Sequence, residues 1–145
     1  MKTEIINIKK NLSFNYVLKD FFECGFVFLG WEVKSVRLNG INILNNYLIF
    51  KNHELFVCKT YISGRTFLLD DFNIERRDRK ILLRKKEITS LYGMSKVKGH
   101  TLLLSRVYFK NSLIKGEICV CLGKKKYDKK LDLKLKSLSE KNFYL

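Results

Sequence analysis

The sequence contains no proline, alanine or glutamine, whereas lysine, asparagine, isoleucine, leucine and phenylalanine are frequent. A genome rich in A and T codons would give this composition. Part of the lysine content is then a result of codon usage, so the positions of the basic residues tell more about function than their number.

Long apolar stretches are also absent. No run of apolar residues approaches the roughly 20 that a membrane-spanning helix needs. Residues 1–5 carry no hydrophobic segment of the kind found in secretory signals. We therefore expect a cytoplasmic protein that does not enter a membrane.

The four cysteines, Cys24, Cys58, Cys119 and Cys121, lie in apolar, strand-like segments. In the reducing cytosol such residues are free thiols that act as small hydrophobic side chains. A zinc site is the alternative interpretation. Zinc ligand pairs are usually separated by about two to four residues, however, whereas a single residue separates Cys119 from Cys121. We therefore expect neither a metal nor a cofactor.

Motifs of catalysis are missing as well. The sequence has no phosphate-binding Walker loop, no dinucleotide-binding glycine triplet and no metalloenzyme pairing of histidine with glutamate. His53 and His100 neighbour turn residues, and no serine or cysteine nucleophile accompanies them. A nuclease is the enzymatic alternative, but Asp70 and Asp71 lack the further carboxylates that a two-metal site requires. We predict no enzymatic activity and no catalytic residue.

Positive charge is what the chain has in abundance. Its 145 residues carry a net charge of +15, with 46% hydrophobic and 30% charged residues. This length and composition are typical of one globular domain. A cation of this strength attracts polyanions, so nucleic acid is the first expected partner and an anionic membrane surface a remote second.

The hydrophobic pattern predicts a chain made mainly of strands. Residues 14–39 read as strand material, including the half-buried segment 30–37, with Gly25 and Gly30 as bends or bulges. Two hairpins are expected around turn signals: one joins 47–51 to 55–62, and the other joins 100–110 to 113–122.

One long helix is predicted for residues 79–92, where Ile81, Ile88 and Leu91 follow helical spacing. Asp78 would cap this helix and Gly93 would end it. The strand count and the short connections favour a six-stranded antiparallel barrel of the oligonucleotide-binding (OB) type with short flanking helices, although a sandwich is also possible.

Basic residues concentrate in three places. Two clusters lie just before and within the predicted helix, and the third follows Gly123, where residues 124–136 are rich in lysine. We therefore predict an RNA-binding barrel domain over residues 1–123 and a flexible basic C-terminal tail over residues 124–145. The tail is either a solvated charged segment or one that becomes ordered on RNA.

Four motifs, in this order, resemble those of the bacterial small protein B family. They are Phe22-Glu23-Cys24-Gly25, residues 30–37, residues 77–83 with Glu87-Ile88, and residues 123–130. The resemblance implies an OB-type barrel without enzymatic activity. It also implies a monomer that binds the tRNA-like domain of transfer-messenger RNA (tmRNA, or SsrA RNA), one copy per tmRNA.

The same resemblance implies a role in ribosome rescue by trans-translation. The complex with tmRNA would enter the empty A site of a ribosome stalled on broken mRNA. The stalled ribosome, at its small-subunit decoding centre, is therefore the second expected partner. The alternative function is that of a ribosomal-type structural protein that sits permanently on ribosomal RNA.

The resemblance further implies the site residues. Glu23 would belong to the tmRNA surface with Gly123 close by, and Leu82 would lie on the helix beside that surface. Glu23 could instead be a strand-edge carboxylate paired with Lys34 or Arg37. The full set of predicted RNA-binding residues is Glu23, Leu82, Arg84, Lys115, Gly123, Lys124, Lys125 and Lys126.

The beginning of the tail carries the predicted contact with the ribosome. Asp128, Lys129 and Lys130 would enter the decoding region and the mRNA channel. The chain departs from the family pattern at Phe14, where histidine is common, and at Leu122, where a basic residue is common. The second departure reduces the positive charge next to Gly123.

Overall fold

The computed structural model describes residues 3–9, 12, 16–64 and 72–123. Within these ranges seven strands form one sheet, and three helices can be given bounds. The strands are β1 (Thr3–Ile8), β2 (Tyr16–Phe26), β3 (Tyr47–Lys51), β4 (Glu54–Cys58), β5 (Arg79–Leu82), β6 (His100–Lys110) and β7 (Leu113–Gly123). The helices are α1 (Gly30–Asn39), the single-turn α2 (Phe72–Glu75) and α3 (Lys85–Ser95).

The strands pair in the order β1-β6-β7-β2-β5-β4-β3, and every pair is antiparallel. This confirms the prediction of a mainly β protein. The described residues contain seven strands rather than the predicted six. They include no ladder between the edge strands β1 and β3, so the sheet is open where a closed barrel was expected. No helix in these ranges is long and apolar enough to cross a bilayer.

Both predicted hairpins are present. The β3–β4 turn is Asn52-His53, with φ of 50° and 64°, and the β6–β7 turn is Asn111-Ser112, with φ of 51° and 69°. Positive φ at both central residues defines the two-residue turn whose twist matches that of paired strands. The second strand of the first hairpin ends at Cys58, four residues before the predicted end.

The prediction of a strand over residues 30–37 is wrong, because this segment lies in α1. Glu32 occupies the third helical position, and its Oε1 accepts from the backbone N–H of Leu29 at 2.7 Å. The helix ends at Gly40, whose φ of 77° favours glycine and whose N–H donates to the carbonyl of Val36 at 2.9 Å. Glu32, Ser35 and Val36 are buried on one helical face.

The single helix predicted for residues 79–92 is instead the strand β5 followed by α3. In β5, Arg79 and Ile81 are buried while Lys80 and Leu82 are not, which is the two-residue period of a strand. Leu82 therefore lies on a strand and not on a helix. Asp78 does not cap a helix, since its carboxylate bonds Lys51 Nζ at 3.2 Å.

The main core lies on one side of the curved sheet. It is built from aliphatic side chains of the central strands, of α1 and α3, and of the connections. Its fully buried members include Ile43, Leu55, Ile62, Ile81, Leu91, Leu104 and Ile118.

The side chain of Asn46, immediately before β3, connects this end of the sheet to β6. Its Nδ2 donates to the carbonyls of Ile43 (2.6 Å) and Leu104 (3.0 Å), and its Oδ1 accepts from the N–H of Leu104 at 2.8 Å. Leu104 lies beside the irregularity in the β6–β7 ladder. The buried amide thus acts as a strand partner for β6 immediately before β3 begins.

We predict that Asn46→Ala lowers the free energy of unfolding by about 2–4 kcal/mol, because the buried N–H and carbonyl of Leu104 lose their Asn46 partners. Urea denaturation measures the change, and Asn45→Ala at the exposed neighbouring position serves as the control. A loss no larger than that of the control would show that the Asn46 hydrogen bonds to β6 do not stabilise the fold.

Candidate nucleic-acid interface

The sheet has a second face, turned away from the main core, that we call the outer face. Ile118 and Val120 of β7 belong to the main core, so by strand alternation Lys115 and Glu117 lie on the outer face. Cross-strand pairing adds further residues to it. Glu23 of β2 and Arg106 of β6 lie opposite Glu117, and Tyr108 lies opposite Lys115.

Glu23 is held by two residues of β6. The hydroxyl of Tyr108 donates to Glu23 Oε2 at 2.6 Å, and Lys110 Nζ lies 3.2 Å from both carboxylate oxygens. The Tyr108 hydrogen bond, aided by Lys110, holds the pKa of Glu23 below its usual value. Glu23 is therefore an ionised, oriented acceptor that is still partly exposed.

The alternative that Glu23 pairs with Lys34 or Arg37 is wrong. Its partners are those from β6, and Arg37 donates to the carbonyl of Ser112 at 3.3 Å. The opposite carboxylate, Glu117, is bound separately, by Arg106 at 3.0 Å. Each of the two neighbouring acids thus has its own cation.

Gly25 brings Leu82 and Lys115 to the same place. It pairs with Leu82 of β5, and a Cβ at Gly25 would lie 3.5 Å from Leu82 Cβ and 3.7 Å from Lys115 Nζ. Leu82 is 49% exposed. These residues and Glu23, two positions earlier in β2, form one surface. We call it the acid–lysine patch, and it consists of Glu23, Gly25, Leu82, Tyr108, Lys110 and Lys115.

A cleft of about 300 Å³ adjoins the patch on the side of α1. Leu82 and Lys115 line it, together with Arg37 and the ring of Phe28, which stacks on Phe26 at 5.0 Å between centroids. The patch therefore combines an anion, cations and apolar surface within a few side chains.

Gly123 lies at the far end of the same ladder. It pairs with Tyr16, six residues along β7 from Glu117, which corresponds to roughly 20 Å at the rise of a strand. The even spacing keeps Gly123 on the outer face, but it does not lie close to Glu23 as expected. The other predicted residues of this region, Lys124, Lys125, Lys126, Asp128, Lys129 and Lys130, are outside the described residues.

Arg84 lies two residues beyond Leu82, immediately before α3. Its backbone N–H donates to Glu87 Oε1 at 3.3 Å, and its side chain is exposed. Lys85 and Lys86 follow in the first turn and are exposed as well. Because a helix N-terminus is itself positive, these cations concentrate positive potential beside the patch.

Tyr108 and Lys110 are two patch residues that were not among the predicted RNA-binding residues. Their signal was present in the predicted hairpin. A two-residue turn at Asn111-Ser112 fixes the register, so that Lys110 faces Leu113 and Tyr108 faces Lys115. Phe21, two residues before Glu23, is a further outer-face residue and is 48% exposed.

The described ranges contain no group of three or more His, Cys, Asp or Glu residues that could hold a metal ion. Asp70 and Asp71 lie outside them. What the outer face offers is a set of charged and apolar groups suited to contacting a polyanion.

Comparison with known proteins gives matches along nearly the whole chain. The family model described as SmpB protein matches residues 6–142. An SsrA-binding protein of Geotalea uraniireducens is 37% identical over 138 residues, covering 95% of this chain and 91% of that protein. One of Alkaliphilus metalliredigens is 39% identical over 130 residues, covering 87% and 80%.

A solved structure is similar as well. A chain from the work described as "tmRNA-SmpB: a journey to the center of the bacterial ribosome" superposes with a TM-score of 0.63 at 28% identity. The match covers 86% of this chain and 91% of that one. The fold thus has a counterpart of known structure.

We predict that Tyr108→Phe raises the pKa of Glu23, because the phenol supplies the largest contribution that lowers it. In the variant, Lys110 and Lys115 still favour the ionised form of Glu23, whereas burial opposes it. A carboxyl with a lowered pKa stabilises the fold when ionised and loses that contribution as acid protonates it. Tyr108→Phe should therefore weaken the acid dependence of stability.

Carboxyl ¹³C NMR titration measures the pKa of Glu23 directly. Tyr92→Phe, which changes an exposed tyrosine on α3, is the matched control. An unchanged titration of Glu23 in Tyr108→Phe would contradict the role given to this hydrogen bond.

Proposed function

The chain belongs to the SmpB family, and on that basis we propose that it binds tmRNA and supports trans-translation on stalled ribosomes. The observation that carries the proposal is the family match. The acid–lysine patch supports it, because it offers a surface suited to RNA. The relatives are SsrA-binding proteins, and the patch holds an ionised acid between lysines on an exposed sheet face.

The chemistry of the patch suits a folded RNA. Lys110 and Lys115 would contact phosphates, which give attraction without selecting a sequence. Glu23 would accept hydrogen bonds from base amino groups or a ribose 2′-hydroxyl, which fix orientation. Leu82 and the adjoining cleft offer apolar surface to an unstacked base. Arg84 extends the positive surface toward α3.

The finer organisation is also part of the proposal. Residues 1–123 would form the RNA-binding domain. We propose that this domain is an OB-type barrel, because the Asn46 hydrogen bonds hold the start of β3 against β6. Residues 124–145 would form the basic tail, with Lys124, Lys125 and Lys126 near the RNA. Gly123, exposed at the end of β7 on the outer face, is the point from which this tail departs.

We further propose that the protein acts by binding and shape and not by catalysis. One monomer per tmRNA, working in the cytoplasm at the decoding centre of the small subunit, would suffice for this role. The +15 net charge supports a polyanionic partner.

The test is a gel-shift titration with the tmRNA of the same genome, a generic tRNA and the variant Glu23→Gln. We expect preference for tmRNA and a loss of roughly tenfold in affinity for the variant, which retains shape but loses the charged acceptor. Glu54→Gln is the matched control, since Glu54 is an exposed acid that pairs with Lys80 at 3.2 Å away from the patch.

The two ways of failing are distinguishable. Equal affinity of the wild type for tmRNA and tRNA, or recovery of ribosomal RNA without tmRNA from lysate, would contradict the function. Preference for tmRNA with Glu23→Gln indistinguishable from Glu54→Gln would contradict only the position of the site.

For the tail, replacing Asp128, Lys129 and Lys130 by alanine should leave tmRNA affinity within about twofold and impair tagging of stalled chains. The reason is that these residues would contact the ribosome and not the RNA-binding surface. A reconstituted tagging assay measures this. Replacing Asp132, Lys134 and Lys136 makes the same charge change further along the tail and is the control. A collapse of tmRNA binding in the first variant would make the tail a docking element instead.

A further inference from the structure

Two cysteines of β7 place their sulfurs in contact. Cys119 and Cys121 are separated by one residue and therefore point to the same side of the strand. Their Sγ atoms are 3.2 Å apart, and both residues are free thiols without solvent exposure. We propose that this pair is a binding site for monosubstituted trivalent arsenicals, which take two thiols at once.

The environment of the pair is apolar and lies on the outer side of the sheet. The two cysteines form one buried cluster with Leu12 and with Leu103 of β6, and Tyr16 and Leu18 pack against this cluster. The cluster is separate from the main core. A ligand held by both sulfurs would thus be shielded from competing water and thiols.

The pair is poorly placed for the two commoner fates of neighbouring thiols. Residues two apart in a strand are roughly 6.6–6.8 Å apart at Cα, the upper limit for a disulfide, so oxidation would have to bend β7. A structural zinc ion takes four ligands, and no third metal-binding side chain joins the pair within the described ranges. An arsenic atom bonded to both sulfurs needs only the two ligands already in contact.

The reaction conserves oxidation state and atoms. With phenylarsine oxide as the probe, two As–S bonds form and the bond from arsenic to oxygen breaks. The two thiol protons leave with that oxygen as one molecule of water. Arsenic stays trivalent, so no oxidant or reductant is consumed.

The first proton is lost most readily from Cys119. The Cys121 thiol donates toward its sulfur, which lowers the pKa of Cys119 and raises that of Cys121. Lys9 lies close enough for its charge to favour a thiolate at Cys121. By contrast, burial raises the pKa of Cys24 to about 12 and that of Cys58 to about 11, and neither has a sulfur neighbour among the described residues.

The test uses the full, reduced chain, phenylarsine oxide and intact-mass spectrometry. We expect one phenylarsenic group per chain, retained against a monothiol and removed by a dithiol such as 2,3-dimercaptopropanol. Cys119→Ser and Cys121→Ser should each lower retention at least about tenfold, since a single As–S bond is lost to competing thiol. Cys24→Ser and Cys58→Ser, at the other buried cysteines, should retain the group and serve as controls.

Peptide mapping of the wild-type adduct locates the group even if a variant does not fold. Placement of the group on any other pair of cysteines, equal retention in Cys121→Ser, or no adduct after incubation under conditions that allow local opening would each overturn the proposal. Because the pair lies on the outer face between Glu117 and Gly123, the modified chain should also bind tmRNA more weakly. Only this last expectation rests on the proposed function, and its failure alone would leave the site itself intact.

Discussion

The buried ion pair between Glu32 and Arg79 joins α1 to β5. Because β5 lies between β2 and β4, its position determines how the sheet continues from β2 to β4 and β3. Both side chains are fully buried, with Arg79 Nε 2.7 Å from Glu32 Oε2. The remaining Arg79 donors reach the Thr60 hydroxyl at 2.8 Å and the Glu75 carbonyl at 2.9 Å. Arg77 adds a second cation to the same carboxylate. Removing one partner of such a pair costs about 3–5 kcal/mol, because the other charge is left buried alone.

This interior charge and the outer face are connected through one short strand. β5 has four residues: Arg79 and Ile81 point inward, and Lys80 and Leu82 point outward. The same strand pairs with β2 at Gly25 and Phe26. An ion pair on the inner side of β5 therefore sets where Leu82 stands beside Gly25 on the outer side. Both the buried ion pair and apolar packing therefore hold in place the strand that carries Leu82 of the patch.

The sequence predicted what depends on local contacts. Both hairpins follow from two-residue turns, and the register of the second one was available from Asn111-Ser112. The segment 30–37 could not be assigned from its pattern, because the spacing of Trp31 and Val33 suits a strand. The burial of Glu32 depends on ion pairs with Arg77 and Arg79, which lie far along the chain. The strand β5 could not be predicted either, because one of its buried positions is occupied by an arginine, which a hydrophobic pattern does not count as apolar. Glu23 and Leu82 came from a resemblance to a family, and the surface that they share with Lys115 is visible only in the folded sheet.

The most direct test of the central claim, that tmRNA docks on the outer face of β2, β6 and β7, is lysine footprinting of the chain alone and bound to tmRNA. Acetylation rates are measured at each lysine by mass spectrometry. We predict strong protection of Lys110 and Lys115 on binding, with little change at Lys34 on α1 and Lys59 after β4, which are exposed away from the patch. Protection of Lys34 and Lys59 with unchanged reactivity at Lys110 and Lys115 would contradict the account.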